Sequence, residues 1–342
     1  MRQRKPKVTI QTLADQLGVS KFSVSRALSG KTGVSDATRA EVLAVARQMG
    51  YPLRESPDEA APGEGAVFAL LIAREPAQET SFWPHVLIGI QEEVKAQGGS
   101  LVIAVVSPDE QQDGVLPATL SHLRPAGVIC IGLDADYVAA ITTQGYEVVL
   151  VDMEHRVLDS VLADNYGGAR DAMAHLLAMG HRAIGFVGDN HGCAPFFQRW
   201  LGYREAMEEA GLPIRPEWLL DARGTAPWNL AFLQGRIRAL ETFPTAWLCA
   251  NDATALQLIR VLAEFRQSVP ADLSVIGFDD IPEAARSLPP LTTVRIDKEA
   301  MGRWAVRRMC YRLKHPDEPN NATYIRTRLV LRESVRSLET AP

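Results

Sequence analysis

Apolar residues near the start of the chain recur every three to four positions, and further on they gather into short continuous runs. In TIQTLADQLGVSKFSVSRALSG (9–30), Leu13, Ala14 and Leu17 share one helical face. Gly18 supplies a turn, Ser20 can cap a second helix, and Val24, Ala27 and Leu28 form that helix's inner face. Lys21, Phe22, Ser23, Ser25 and Arg26 lie on its outer face. A third helix is expected from about Asp36 to Met49, capped by Ser35, with Val42, Val45, Ala46 and Met49 as its stripe and Gly50 as its stop. Residues 51–66, YPLRESPDEAAPGEGA, carry Pro52, Pro57 and Pro62 among charges, which predicts a linker and discourages a continuous helix.

From Val67 onward, short apolar runs alternate with amphipathic stretches. Buried strands are expected at 67–72, 100–106, 127–132 and 147–152, with helices near 85–97, 111–123 and 136–144. A second set follows, with strands at 183–189, 218–222, 246–251 and 273–280 and helices near 197–210, 229–241 and 252–264. A last helix at about 298–314 and the segment 324–334 close the chain. Alternation of this kind implies parallel sheets covered by helices on both faces. Two successive sets predict two similar α/β lobes, with a ligand cleft at the carboxyl ends of their strands. The domain boundaries are therefore a three-helix, helix-turn-helix head (1–50), a linker (51–66) and a two-lobed body (67–342).

Charge sharpens this division. The net charge of −5 hides a head in which residues 1–54 hold ten Lys or Arg against three acids, so the remainder is strongly acidic. A basic helical head on an acidic body points to phosphate contact at one end only. No run of eighteen apolar residues occurs and the basic N-terminus lacks an apolar core, so the expected location is cytoplasmic, without a membrane partner. Cys130, Cys193, Cys249 and Cys310 stand too far apart for a zinc or disulfide framework and are expected as reduced thiols.

Enzyme signatures are missing. Gly30-Lys31-Thr32 resembles the end of a P-loop, but Ser25 stands where the first glycine is required. The stretch GEGAVF lacks the third glycine of a dinucleotide fingerprint, and GxSxG, HExxH and CxxC do not occur. The expectation is a non-enzymatic binding protein without catalytic residues, metal or cofactor.

The order of these blocks resembles the lactose-repressor (LacI-type) family of bacterial transcription regulators. The head sequence carries the likeness, as do GGARDAMAHLLAMGHRAIGFVGD (167–189), RWLGYREAM (199–207), ANDATAL (250–256), VPADLSVIGFDD (269–280) and PPLTTVRIDKEAMG (289–302). The resemblance implies a periplasmic-binding-protein-like body, a homodimer or tetramer, double-stranded operator DNA as partner, and a small-molecule effector, a sugar above others. It places Ser20, Lys21, Phe22 and Arg26 at the recognition helix. Arg26 can contact guanine in bidentate fashion and Phe22 can pack on a thymine methyl, whereas Thr9, Ser20 and Ser25 suit caps and phosphate positioning. Arg199, Asn251 and Asp279 match effector-bonding positions, and Asp152 ends a strand facing the same cleft. Phe82, Trp83 and Trp228 are rim aromatics able to stack on a sugar ring.

One segment departs from the family pattern. The family linker folds into a hinge helix whose leucine wedges the minor groove, but here its Asn, Ala-Arg pair and Leu are missing. Pro57 interrupts the stretch, and Glu55, Asp58 and Glu59 would be repelled by phosphates. This chain is therefore expected not to insert such a wedge and to kink its operator little. The sequence reading is a ligand-controlled transcription repressor. The alternatives are a nucleobase or nucleoside effector, a sugar-binding transport component, and an α/β enzyme with a fused DNA-binding head.

Overall fold

The computed structural model describes residues 10–28, 35, 38, 41–42, 45–46, 49, 65–188, 193–221 and 230–338. The chain separates into two units, Met1–Glu64 and Gly65–Pro342. In the first, α1 (Ile10–Leu17) and α2 (Lys21–Leu28) flank Gly18, whose φ of 65° would strain a side chain. The Val19 amide donates to the Ala14 carbonyl at 3.2 Å. Ser20 Oγ accepts the Ser23 amide at 3.0 Å and so caps α2. Thr38, Glu41, Val42, Val45, Ala46 and Met49 are helical and belong to α3, at whose start Ser35 Oγ accepts the Thr38 amide at 3.2 Å. Leu13, Ala14, Val24, Ala27, Val42 and Ala46 are buried together, so the inferred faces do meet. The linker at 51–64 and the side chain of Leu28 lie outside the described residues.

The second unit holds two six-stranded sheets. β1 (Val67–Ala73), β2 (Ser100–Val106), β3 (Gly127–Ile131), β4 (Val148–Val151), β5 (Asp159–Ala163) and β11 (Ala322–Ile325) form a parallel sheet in the order β11-β5-β4-β3-β1-β2. β6 (Ile184–Val187), β7 (Leu219–Leu220), β8 (Ala246–Cys249), β9 (Ser274–Asp279), β10 (Thr292–Arg295) and β12 (Arg328–Val330) form the other, in the order β12-β10-β9-β8-β6-β7. It is parallel except for β12, which runs antiparallel to β10. The first lobe's helices are α4 (Arg74–Gln78), α5 (Trp83–Ala96), α6 (Pro108–Gln112), α7 (Ala118–Leu123) and α8 (Ala135–Thr143). Next in the chain come α9 (Asn165–Ala178), α10 (Ala194–Glu209), α11 (Leu230–Arg238), α12 (Asp252–Glu264), α13 (Pro282–Arg286) and α14 (Lys298–Lys314).

Strands β1, β3, β4, β5, β8 and β9 are buried along almost their whole length, as parallel strands covered by helices require. Each fully buried Leu or Ile in them, such as Leu70, Leu71, Ile129 or Ile276, contributes roughly 1.5–3 kcal/mol through loss of water contact. The single helix expected at 111–123 is instead α6 and α7. Gly114 turns the chain at φ 66° and Pro117 starts the next helix, so no continuous helix passes between them.

The lobes are not simply successive. Strand β5, helix α9 and strand β10 were not foreseen, and the chain crosses between lobes after β5, after β10 and between β11 and β12. Two of the crossings are stitched together: the Asp164 amide donates to the Ile325 carbonyl at 3.0 Å, and Arg326 Nη1 pairs with Asp164 Oδ2 at 2.6 Å. Helix α14 returns to the first lobe and packs on α5 so closely that a Cβ on Gly89 would stand 2.1 Å from the Glu299 carbonyl oxygen. The end of α14 is pinned by Asp159, which takes Arg308 Nε and Arg312 Nε at 2.8 Å each and the Asn321 amide at 2.8 Å.

Candidate functional site

The carboxyl ends of the central strands carry acids in an uncommon backbone conformation. Asp152 follows β4 with φ 56°, Asp279 ends β9 with φ 107°, and Asp280 has φ 53°. Non-glycine residues held at positive φ are costly and concentrate at working sites. Strand β9 itself is buried throughout, so its end is fixed by packing before any ligand arrives.

Arg199 sits at the centre of this constellation. It projects from α10 and is almost fully buried, with its guanidinium 3.9 Å above the Phe278 ring. Nε donates to Asn165 Oδ1 at 2.8 Å, Nη1 donates to the Ala250 carbonyl at 2.5 Å, and Nη2 stands 3.0 Å from Asp279 Oδ1. The last contact is an ion pair, not an aligned hydrogen bond, so Asp279 Oδ1 still lacks a hydrogen-bond donor among the described residues. Burial raises the Asp279 pKa to about 6, against the opposing pull of Arg199 and Lys298.

Asp152 feels the charge of the same guanidinium. Burial pushes its carboxyl above the usual range, while Arg199 and the Ala163 amide act in the other direction. Its Oδ1 is buried without a hydrogen-bond partner among the described residues. Asp279 is thus ion-paired with Arg199, while Asp152, which feels the same charge at longer range, keeps a buried acceptor oxygen unused, which is costly unless a donor arrives.

Asn251 has a structural duty in addition to any binding role. Its Oδ1 accepts the Thr254 amide at 2.8 Å and caps α12, leaving the amide nitrogen as the group able to reach a ligand. Helix α5 starts at Trp83, slightly before the stretch expected near 85–97, with Phe82 at its cap position, and the two rings lie edge to face with centroids 5.0 Å apart. Phe82 joins the constellation through Lys298, whose Nζ lies 5.6 Å from the Phe82 ring centre and donates to the Asp279 carbonyl. Trp228 lies outside the described residues, as does Thr9. In the head, Ser20 caps α2 and Lys21 is exposed at its start, while the side chains of Phe22, Ser25 and Arg26 are outside the described residues.

Several residues of the constellation escaped the sequence reading. Asn165 and Lys298 both sit at helix starts and are buried although polar, and nothing in their spacing marks them. Asp252 is wholly buried, accepts the Ile281 amide at 2.9 Å and the Thr293 hydroxyl, and has a pKa raised to about 8 by burial and by Asp279. Asp280 has the opposite fate: Arg332 and Arg295 hold its carboxyl below the usual range despite burial. Among the described residues, no cluster of His, Cys, Asp and Glu could hold a metal ion.

Comparison with known proteins gives this architecture a context. Residues 9–52 match the model of bacterial regulatory proteins of the lacI family, and residues 173–335 match a periplasmic binding protein-like domain. The HTH-type transcriptional regulator MalR of Streptomyces coelicolor is 31% identical over 339 residues, covering 95% of this chain and 96% of its own. The chain belongs to the LacI family. The ribose operon repressor of Haemophilus influenzae is 26% identical, covering 97% of this chain and 99% of its own. A solved complex of the transcriptional regulator CelR with cellobiose superposes with a TM-score of 0.69 at 25% identity, covering 96% of this chain and all of that one. This LacI-family member is a DNA-binding transcriptional repressor under the control of a small ligand. No described helix is long and apolar enough to cross a membrane.

Proposed function

We propose that the cleft between the two lobes binds an uncharged, hydroxyl-rich effector, a sugar or sugar derivative, and that its occupancy sets operator affinity. The observation that carries this reading is the pair of buried acceptors, Asp152 Oδ1 and Asp279 Oδ1, the second ion-paired with Arg199 and the first within reach of its charge. Vicinal hydroxyls supply donors to carboxylates and acceptors to a guanidinium at once, and Arg199 opposes the charge of these acids, which suits a neutral ligand. Asn251 Nδ2 and the Phe82–Trp83 pair complete the set, the aromatics offering an apolar wall to a ring face. The relatives named for ribose and the structure solved with cellobiose support the same class.

In the head, Lys21, Phe22 and Arg26 read base edges from α2, while Thr9, Ser20 and Ser25 position phosphates. The working unit is a homodimer on a near-palindromic operator. The edge strand β2 leaves Ile103 and Val105 half exposed, an apolar strip suited to a second copy of the chain.

Calorimetric titration of the full chain with ribose, cellobiose, maltose and, as contrast, hypoxanthine and guanine tests the effector class. Saturable heat with at least one sugar and none with the purines supports the reading, and the reverse pattern refutes it. Gel shifts on DNA from the protein's own promoter test the head: affinity should fall steeply with salt, and Arg26→Ala should abolish specific binding while sugar binding persists. Unchanged operator affinity in that variant would remove Arg26 from the contact.

A further inference from the structure

Helix α5 begins without a conventional cap. Its N-cap position is Phe82, whose side chain accepts no hydrogen bond, and Trp83 and Pro84 occupy the first turn. The free amides at this end are nevertheless satisfied, by a carboxylate three residues upstream. Glu79 Oε1 accepts the Ser81 amide at 2.6 Å, while Oε2 accepts the Phe82 amide at 2.7 Å and the Trp83 amide at 3.0 Å. The Glu79 amide itself donates to the Pro76 carbonyl at 3.3 Å at the end of α4. One side chain thus closes the loop 79–83 into a ring and presents a negative charge to a helix N-terminus, where it is favoured.

Because the carboxylate does the capping from outside, the cap position is free to hold an aromatic. Phe82 there lies against the Lys298 ammonium, and Lys298 in turn donates to the Asp279 and Asp280 carbonyls. We infer that Glu79 is the positioning residue of the effector cleft: its three amide bonds set the Phe82–Trp83 wall, and through that wall the affinity for the effector. The link to affinity rests on the cleft reading above; the setting of the wall does not.

The isosteric variant Glu79→Gln separates the two. A glutamine keeps the size but replaces one acceptor oxygen with an NH2 that opposes a backbone N–H. The test compares full-length protein and E79Q by near-UV circular dichroism and acrylamide quenching. Subtracting the matching Trp83→Phe proteins isolates the Trp83 signal, and far-UV dichroism checks the fold. The expected result is a Trp83 quenching constant at least doubled in E79Q with unchanged helix content. Glu79→Asp, one methylene too short to span the three amides, should show the same release. A Trp83 component identical to that of the unmodified protein in both variants overturns the inference, whatever the effector is.

Cellobiose titrations of the unmodified protein, E79Q and Asp279→Asn form the second arm. Binding weakened about tenfold in E79Q supports the link to affinity. Unweakened binding in E79Q with a released Trp83 overturns that link. Binding retained in D279N, or no sugar binding at all, counts against the cleft reading, and the Trp83 comparison still decides the role of Glu79.

Discussion

Replacing Asp279 with Asn should stabilise the ligand-free protein while weakening effector binding. The substitution keeps the shape of the side chain and removes its charge. In the folded chain the Asp279 pKa is raised from 3.8 to about 6, so the native state holds this proton more tightly than the unfolded state does. The group's contribution to stability is full below 3.8 and is lost as pH rises through 6. At 1.36 kcal/mol per pKa unit, the ionised form costs the fold up to about 3 kcal/mol at neutral pH. An asparagine, neutral at every pH, escapes this cost, so D279N should exceed the unmodified protein in stability above pH 7 and match it near pH 3. Urea melts of both proteins between pH 5 and 8 measure the effect, and the difference between them should grow as pH rises. The same change removes a charged acceptor, worth roughly 1.5–3 kcal/mol to a donor, so sugar affinity should fall about tenfold or more. A D279N protein less stable than the unmodified one at pH 7.5, or a gap that does not vary with pH, would refute the argument that burial strains this carboxylate.

Two further perturbations test the framework that holds the cleft. Asp159→Ala leaves the buried Arg312 and the partly buried Arg308 without their shared carboxylate, and should cost about 3–5 kcal/mol in denaturant unfolding, whereas breaking a pair at the surface such as Arg170–Glu209 should cost far less. Gly89→Ala gains helix propensity but sets a Cβ 2.1 Å from the Glu299 backbone oxygen, so the α5–α14 crossing must open. It should lower the melting temperature, and a rise would show that the crossing is loose.

Much of this protein is legible locally. The head's inner face (Leu13, Ala14, Val24, Ala27) follows from a 3.6-residue period, and Ser20 and Ser35 cap helices as their positions predict. The central strands announce themselves as continuous apolar runs because both faces of a parallel sheet are covered. Helices α12 and α14 lie where they are expected, near 252–264 and at about 298–314, and each begins just after a capping Asn or Asp. By contrast, β5 reads DSVLA and β10 reads TTVR, short runs with polar residues that carry little hydrophobic signal. Their polar groups are used in the fold: Asp159 anchors α14, and Thr292 and Thr293 bond Ser334, Arg332 and Asp252.

The opening helix-turn-helix and the strand–helix alternation were determined by the sequence, because each rests on patterns within a few residues; Arg199, Asn251 and Asp279 stood out only through the family resemblance, and Asp152 as the end of a strand. What only the tertiary structure decided is how those groups meet. Arg199 lies 80 positions from Asp279, and the two touch because the fold brings the Arg199 side chain over Phe278 at the end of β9. The three crossings between lobes, the burial that raises the Asp279 pKa, the Lys298 bond to its carbonyl and the approach of Lys298 to Phe82 depend on segments brought together by the core. Periodicity reports which face a residue occupies; it cannot report what stands opposite, and for buried charges the opposite partner sets the energy.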